Sequence, residues 1–590
     1  MSQIHLAIDS QTKSNVQKWL DSEIDEESKK EIRELMQNDP EELVNAFYTN
    51  LSFGTGGLRG LSGIGTNRMN KYTVRLATQG LANYLNHQDF SASKISVIIG
   101  YDSRTTSRMF AEEAAKVLAG NGIHVYLYEE LRPVPMVSFG CRYKKCQAGI
   151  MITASHNPPD YNGYKVYWSD GCQVLPPHDT GIIDEVDKII EIDHVRLASL
   201  DDPHIAFIGG EIDEAYLNRI AELQQYKDQN QENGDQLHIV YSPLHGTGIT
   251  MVPKALAMWG FIDLDLVESQ KEPDGRFPTV RVPNPEDPAA LKMGIDRLIE
   301  GDGDILLATD PDTDRVGVAV NHHGNIIVLN GNEIACICLE HLCTAMAKQE
   351  RIPDNGAFIK TIVTTELFEA IANNYSIPCF NVLTGFKYIG QQITNWEKEE
   401  NGKQFIFGGE ESYGYLLGDY ARDKDAVIAC ALIAEAALNM KLQDHTLIDF
   451  LHQIYKKYGV YRETLLSVKF EETKAGREKM QNAMSKLRTS PPKQILGSKI
   501  VMIEDYLKST RTHIKTEKIE SLTLPKSNVL GFYLTDGTKL IIRPSGTEPK
   551  IKLYCGVKSD KSSPVDLGIE HCDTIAKEYI KTMENHIFSL

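Results

Sequence analysis

The sequence predicts an α/β chain of three similar mixed-sheet α/β domains followed by a C-terminal α+β domain. Three observations lead there. Strand-like and helix-like runs alternate from Lys94 to about Thr446, the pattern of mixed or parallel sheets. Within that span three strands each end in a polar loop. Beyond Thr446 the texture changes to β-rich hairpins with flanking helices. A chain of 590 residues also exceeds what one core supports, roughly 250–300 residues, so several domains are required.

The first fifty residues read as helical. Asp39-Pro40-Glu41-Glu42 is a helix start, with Asp as cap, Pro at the first position and acids against the dipole. Strand 95–100, helix 106–119, strand 124–128, helix 135–142 and strand 148–152 follow. A second series has strand 237–241, a loop at 242–248, an amphipathic helix to Trp259, a further strand and helix, then strand 304–308. The third has helix 332–347, strand 357–362, a helix, strand 379–383, a helix and strand 404–407. In the last region, strands 461–470, 499–503, 529–534 and 539–543 surround helix 474–487. A hairpin turn lies at Thr535-Asp536-Gly537-Thr538, and helix 564–586 closes the chain. Residues 224–235, Gln/Asn-rich, and 272–288, rich in proline and acid, are predicted to be exposed loops or insertions. The predicted boundaries are 1–210, 211–328, 329–450 and 451–590.

Composition narrows the class. At 42% hydrophobic and 24% charged residues the chain reads as soluble and globular, with no run of ~18 apolar residues to cross a membrane. Residues 1–10 show no basic-then-apolar signal pattern. The ten cysteines lack zinc-like spacing, so reduced structural thiols and a cytoplasmic location are expected. A formal charge of −19 argues against nucleic acid or an anionic membrane as partner. Oligomeric state is not legible.

The strand-end loops carry the chemistry. After strand 148–152 comes Thr153-Ala154-Ser155-His156-Asn157-Pro158, which places a serine hydroxyl where open α/β sheets bind ligands. Such a hydroxyl is a weak nucleophile that needs a base, a metal or a cation. Asp310, Asp312 and Asp314 put three carboxylates on alternate residues of a sharp turn. They repel one another unless a cation sits among them, and Mg²⁺ is the usual occupant. An EF-hand does not fit, because its sixth and twelfth positions hold Arg315 and Asn321. Arg543-Pro544-Ser545-Gly546-Thr547 offers an arginine fork, hydroxyls and exposed backbone N–H groups, a phosphate cradle. Gly409-Glu410-Glu411-Ser412 presents acceptors and a hydroxyl suited to sugar hydroxyls. Gly54 to Gly60 reads as a flexible loop carrying Arg59.

These motifs, in this order, resemble those of the α-D-phosphohexomutases, the phosphoglucomutase and phosphomannomutase superfamily. The match at 54–60 and the Asn162-Gly163-Tyr164-Lys165 continuation place the resemblance with its long phosphoglucomutase/phosphopentomutase branch. The resemblance implies four domains around a central cleft and a phosphoserine at Ser155. Mg²⁺ would be shared by Ser155, Asp310, Asp312 and Asp314, with Arg315 on phosphoryl oxygens. Arg59 would reach the active-site phosphate, and Thr384-Gly385 with Glu410 and Ser412 would read the sugar. Arg543, Ser545, Gly546 and Thr547 would hold the distal phosphate. Lys165 and Lys424 match lysines credited with proton transfer or substrate contact, a role that calls for a depressed pKa. His156 would orient the nucleophile or serve structure, and His245 would be structural or support the site from behind its contacting residues.

The implied reaction interconverts glucose 1-phosphate and glucose 6-phosphate through glucose 1,6-bisphosphate. Phosphopentomutase and phosphomannomutase chemistry, sugar-bisphosphate synthesis and a non-catalytic phosphosugar sensor remain alternatives. A serine hydrolase is disfavoured, since no Gly-x-Ser-x-Gly elbow surrounds Ser155.

Overall fold

The computed structural model describes residues 8–54, 56–90, 94–189, 191–471, 473–545, 549–559, 561 and 564–589. The chain forms two compact units, the first made of residues 1–330, 386–408 and 413–441, the second of 331–385, 409–412 and 442–590.

The first unit opens with helices Ser10–Asp21, Glu26–Asn38 and Pro40–Phe47, each capped by an aspartate (Asp9, Asp25, Asp39) whose carboxylate accepts first-turn N–H groups. Trp19 packs edge-on against Phe47 and Tyr72 at 5.5 and 5.4 Å, joining these helices to helix Lys71–Asn86. A six-stranded sheet runs Gly57–Leu61, Tyr161–Trp168, Ala148–Ile152, Ser96–Tyr101, His124–Tyr128, Ile205–Ile208. Its last four strands are parallel and its first two antiparallel, a mixed sheet. Strand Ser96–Tyr101 is buried throughout, which matches the apolar Val97-Ile98-Ile99 at its centre. Val97, Ile99, Leu118, Val125 and Ile150 lie in the core beneath it.

A five-stranded mixed sheet follows in the order Asn325–Leu329, Val316–His322, Ile305–Thr309, Ile239–Ser242, Leu264–Leu266. Helix Pro288–Glu300 packs Leu291 and Leu298 against Val240 and Leu306. The buried helix Ala426–Lys441 completes this unit.

In the second unit, strand Gly356–Thr361 pairs in parallel with Cys379–Val382 beside helix Gly331–Lys348. The C-terminal region is an antiparallel sheet ordered Tyr461–Lys469, Lys550–Lys558, Lys539–Pro544, Leu530–Leu534, Ser498–Asp505, Thr510–His513, Ile519–Ser521. Helix Val565–Ser589 packs on its first two strands. The hairpin at Thr535–Thr538 joins paired strands, with Leu534 N–H donating to Thr538 O and Gly537 at φ 84°.

Three expectations are corrected. The segment read as a flexible loop at 54–60 is largely strand, Gly57–Leu61, because the polar-looking residues after Ser155 form strand Tyr161–Trp168 and give it a partner. Strand Gln404–Glu410 continues through Gly408, Gly409 and Glu410 rather than ending at Phe407. The Gln/Asn-rich stretch holds helix Lys227–Asn233, and Asn230 is fully buried because its amide donates to Gln224 and to the buried Glu435. The segment 272–288 is irregular as expected, but Phe277 within it is buried. All ten cysteines are free, nine of them buried. Among the described residues no helix is long and apolar enough to cross a membrane.

Candidate active site

Strand Ala148–Ile152 delivers Ser155 into the interior at 4% exposure. Ser155 has φ 52°, a left-handed conformation that costs a non-glycine residue about 1–2 kcal/mol. Its N–H donates to Thr153 Oγ1 (2.8 Å), whose own hydroxyl donates to Asp312 Oδ2 at 3.2 Å. Ser155 Oγ donates to Asp310 Oδ2 at 3.0 Å and lies 3.2 Å from His156 Nδ1. The structure therefore joins the serine and the first aspartate, 155 residues apart in sequence.

The acidic turn follows strand Ile305–Thr309. Asp310 Oδ1 accepts from the N–H groups of Asp314 and Arg315, both at 3.0 Å, which folds the loop back on itself. The Ser242–Gly248 loop braces it: Thr247 N–H donates to Pro311 O (2.8 Å), and the Thr247 and Thr313 hydroxyls meet at 2.8 Å. A Cβ at Gly246 would stand 2.3 Å from Pro311 Cα, so only glycine permits this approach. His245 of that loop is held from outside it, by Glu272 O at 3.2 Å and Thr279 Oγ1 at 2.8 Å.

Two lysines face the carboxylates. Lys165 Nζ lies 2.9 Å from Asp312 Oδ2 and 3.5 Å from Asp314 Oδ2. Lys424 Nζ lies 3.1 Å from both Asp314 Oδ2 and Asp423 Oδ1, and Asp423 accepts from the Tyr167 hydroxyl at 2.8 Å. Arg315 pairs with Glu286 and stands 3.7 Å from Asp314, while Arg59 donates to Asn157 Oδ1 at 3.3 Å.

Burial pushes the Asp310 carboxyl well above the usual range, and Asp312 and Asp314 push the same way. Burial is the largest influence on Asp312 and works to raise it, but Lys165, the hydrogen bond with Asp310 and Lys424 together outweigh it and the carboxyl is held low. For Asp314, burial and the neighbouring Asp312 are outweighed by Lys424, Lys165 and Arg315. Burial would depress the Lys165 ammonium, yet Asp312 and Asp314 hold it above the ordinary lysine value. His156 is pushed down to about 3 by burial and then by Arg315 and Arg59, leaving a neutral imidazole beside the serine.

The three aspartates place ligand oxygens within 4.8 Å of one another, and all three are buried. Asp312 Oδ1 and Asp314 Oδ1 have no hydrogen-bond partner among the described residues. Orphaned buried carboxylate oxygens converging this way fit a hard divalent cation.

The second unit brings together a different set. Glu410 Oε1 accepts the Gly385 N–H at 2.9 Å, so the expected sugar loop and its companion turn are in contact. Thr384 Oγ1 is buried without a partner among the described residues. Glu411 Oε2 accepts from Thr361 Oγ1 at 3.3 Å, and Thr361 and Thr364 share a hydroxyl contact of 2.8 Å. Ser412 is half-buried after strand Gln404–Glu410. Arg543 lies half-buried on strand Lys539–Pro544, and Ser545 N–H donates to Lys550 O at 2.8 Å. Gly546 and Thr547 lie outside the described residues.

Comparison with known proteins gives the family. The alpha/beta/alpha domains I, II and III and the C-terminal domain of phosphoglucomutase/phosphomannomutase match residues 50–193, 214–324, 330–458 and 496–563. A phosphoglucomutase of Staphylococcus epidermidis is 37% identical over 542 residues, covering 91% of this chain and 94% of that one. The chain belongs to the phosphoglucomutase/phosphomannomutase family. A phosphoglucomutase of Staphylococcus aureus is 38% identical over 516 residues, covering 87% and 90%.

The family fold is borne out by solved structures. A phosphoglucomutase/phosphomannomutase family protein of Burkholderia thailandensis superposes with TM-score 0.63 at 17% identity, covering 90% of this chain and 98% of that one. The open form of the Paramecium phosphoglucomutase parafusin gives 0.65 at 16% identity, covering 92% and 96%. Within the family frame, sequence reasoning missed Arg104, Asp423 and Tyr167. The signal for Arg104 was available: Tyr101-Asp102-Ser103-Arg104 is one more polar loop at a strand end.

Proposed function

We propose that the protein is a phosphoglucomutase that interconverts glucose 1-phosphate and glucose 6-phosphate through a phosphoserine enzyme and glucose 1,6-bisphosphate. The observation that carries this reading is Ser155 Oγ, buried in a left-handed turn 3.0 Å from Asp310 and backed by two lysines on the same acidic cluster. The relatives 37% and 38% identical over most of the chain are phosphoglucomutases, which supports glucose over other sugars.

In this reading phosphorylated Ser155 gives its phosphoryl group to the free hydroxyl of the bound monophosphate. The bisphosphate turns over and returns its other phosphoryl group to Ser155. Asp310, Asp312, Asp314 and Ser155 would hold Mg²⁺, which when bound offsets charge on phosphoryl oxygens. Lys165, Lys424, Arg315 and Arg59 stabilise the same anionic region, and His156, uncharged, orients the serine. Glu410, Ser412, Thr384 and Gly385 read the sugar hydroxyls, and the loop from Arg543 through Thr547 grips the phosphate that is not transferred. The functional division follows the boundaries at 210, 328 and 450, with work in the cytoplasm.

The test is a rate panel with Mg²⁺ and catalytic glucose 1,6-bisphosphate on the 1-phosphates of glucose, mannose, ribose and deoxyribose. Glucose 1-phosphate should lead by at least tenfold, about 1.4 kcal/mol of discrimination. A lead by a pentose phosphate would reassign the substrate. Ser155→Ala should fold and turn nothing over, and substantial residual activity would sink the serine mechanism.

A further inference from the structure

Arg104 is 3% exposed, and its guanidinium is committed to the chain that carries Ser155. Nη1 donates to the carbonyls of Pro158 (2.7 Å) and Tyr161 (2.8 Å), and Nη2 to those of Ser155 (2.7 Å) and Asn157 (2.5 Å). Nε lies 3.3 Å from Asp102 Oδ2, and Asp102 Oδ1 accepts the Arg104 N–H (2.9 Å) and the Ser107 hydroxyl (2.6 Å). The Phe277 ring closes the remaining side, its centroid 5.1 Å from the guanidinium carbon.

An arginine beside a phosphoryl-transfer site ordinarily forks a phosphate. This one has no such freedom, because both terminal nitrogens already serve four carbonyls and the side chain is sealed from solvent. Those carbonyls span residues 155–161, the turn that leads out of the serine and back into strand Tyr161–Trp168. A non-glycine residue persists in the left-handed region only where its surroundings over-determine it. The Ser155 carbonyl is one of the four groups so held.

We propose that Arg104 is the positioning residue of the serine loop: its planar fork fixes Ser155 in the left-handed conformation, with Oγ toward Asp310, without touching substrate. The inference rests on the phosphoserine reading above. A guanidinium offers five donors in a rigid plane, whereas an ammonium offers three in a tetrahedron and cannot satisfy the same four carbonyls. Charge alone therefore does not replace it.

The experiment compares full-length parent and Arg104→Lys in steady-state mutase kinetics, with Mg²⁺ affinity read by calorimetry. Displacing a reacting group by about 1 Å costs on the order of 100-fold, so kcat should fall about 100-fold while KM and Mg²⁺ affinity stay within about threefold. Arg104→Ala should regain at least about tenfold in kcat when ethylguanidinium is added, a rescue that general destabilisation would not give. Arg104→Lys with kcat within about threefold of the parent, or with its loss matched by an equal rise in KM, overturns the inference. Should the Arg104 variants fail to fold, Phe277→Leu keeps every hydrogen bond and loosens the seat. A kcat loss of at least about fivefold at constant KM then supports the inference, and a smaller change overturns it. A parent inert on every phosphosugar overturns the mutase reading and this inference together; an active parent with an unimpaired Arg104→Lys overturns this inference alone.

Discussion

The ammonium of Lys424 sits 3.1 Å from Asp314 Oδ2, so the last carboxylate of the acidic turn is paired with a lysine more than a hundred residues downstream. The pairing is enforced from several sides. Asp423 holds the same ammonium at 3.1 Å and is itself held by the Tyr167 hydroxyl. Ala426 N–H donates to Thr313 O at 3.1 Å, which ties the start of helix Ala426–Lys441 to the acidic turn. The neighbours Arg422 and Asp425 are buried and bonded, so Lys424 alone in this segment is directed at the cluster.

Tyr167→Phe removes one hydrogen bond to a buried carboxylate, a contact worth about 1.5–3 kcal/mol. Because it acts on the orientation of Lys424, kcat is expected to fall about 10–100-fold with little change in KM. Gly414→Ala tests the same relationship sterically, since a Cβ there would stand 2.0 Å from Lys424 Cδ. Steady-state kinetics on both variants check this, and a Gly414→Ala enzyme with parental kcat would refute the role of Lys424.

Metal removal gives the second prediction. Asp312 Oδ1 and Asp314 Oδ1 lack hydrogen-bond partners among the described residues, so a divalent cation should add stability rather than merely switch on turnover. At a hundred times its Kd the ion contributes about 2.7 kcal/mol, seen as a raised melting temperature. A chelator should reverse the rise and abolish activity. Asp310→Asn keeps an oxygen for the two backbone N–H groups yet removes a charge, so it should fold and lose most of the Mg²⁺-dependent rise. An unchanged rise in that variant would place the ion elsewhere.

The acidic cluster was legible in sequence because alternate aspartates at a strand end have few uses other than a cation. Its partners were less so. Lys165 and Lys424 look like surface lysines until strand Tyr161–Trp168 and the buried Ala421–Asp425 segment turn them inward onto the carboxylates. Gly57–Leu61 could not be read as strand from its own glycine-rich residues, because its strand character comes from pairing with Tyr161–Trp168. For Arg104 the strand-end loop was legible but its task was not: its partners are carbonyls, which carry no side-chain signature.

Glu411 supplies a pH prediction. Burial and then the adjacent charge of Glu410 push its carboxyl up to about 7, from an ordinary value near 4.5. The folded state thus binds a proton that the unfolded state releases. Below pH 4.5 both states are protonated and there is no penalty; as pH rises toward about 7 the folded state loses stability relative to the unfolded one. Glu411→Gln removes this dependence. It should match the parent near pH 4.5 and exceed it at pH 8, by about 1–3 kcal/mol once solvent screening is allowed for. Denaturant midpoints across that range decide it, and a parent at least as stable as the variant at pH 8 would refute the raised value.

The last prediction concerns the stretch whose composition misled. Glu435 is fully buried on helix Ala426–Lys441, and its Oε1 accepts from Gln225 N–H (2.9 Å), Tyr226 N–H (3.0 Å) and Asn230 Nδ2 (2.7 Å). One carboxylate therefore anchors the whole turn into helix Lys227–Asn233, and polar side chains are buried there because they have an ionic acceptor to bury against. Hydrogen bonds to a charged group contribute about 1.5–3 kcal/mol each, and removing the shared acceptor desolvates its donors without compensation. Glu435→Leu, apolar and with no acceptor, should cost about 4–6 kcal/mol in the first denaturation transition. Asn230→Ala, which deletes a single donor, should cost about 1–2 kcal/mol. Because neither residue approaches the serine or the acidic turn, the surviving folded fraction should retain parental kcat. A Glu435→Leu enzyme of undiminished stability would show that the Gln/Asn-rich segment is anchored by something other than this carboxylate.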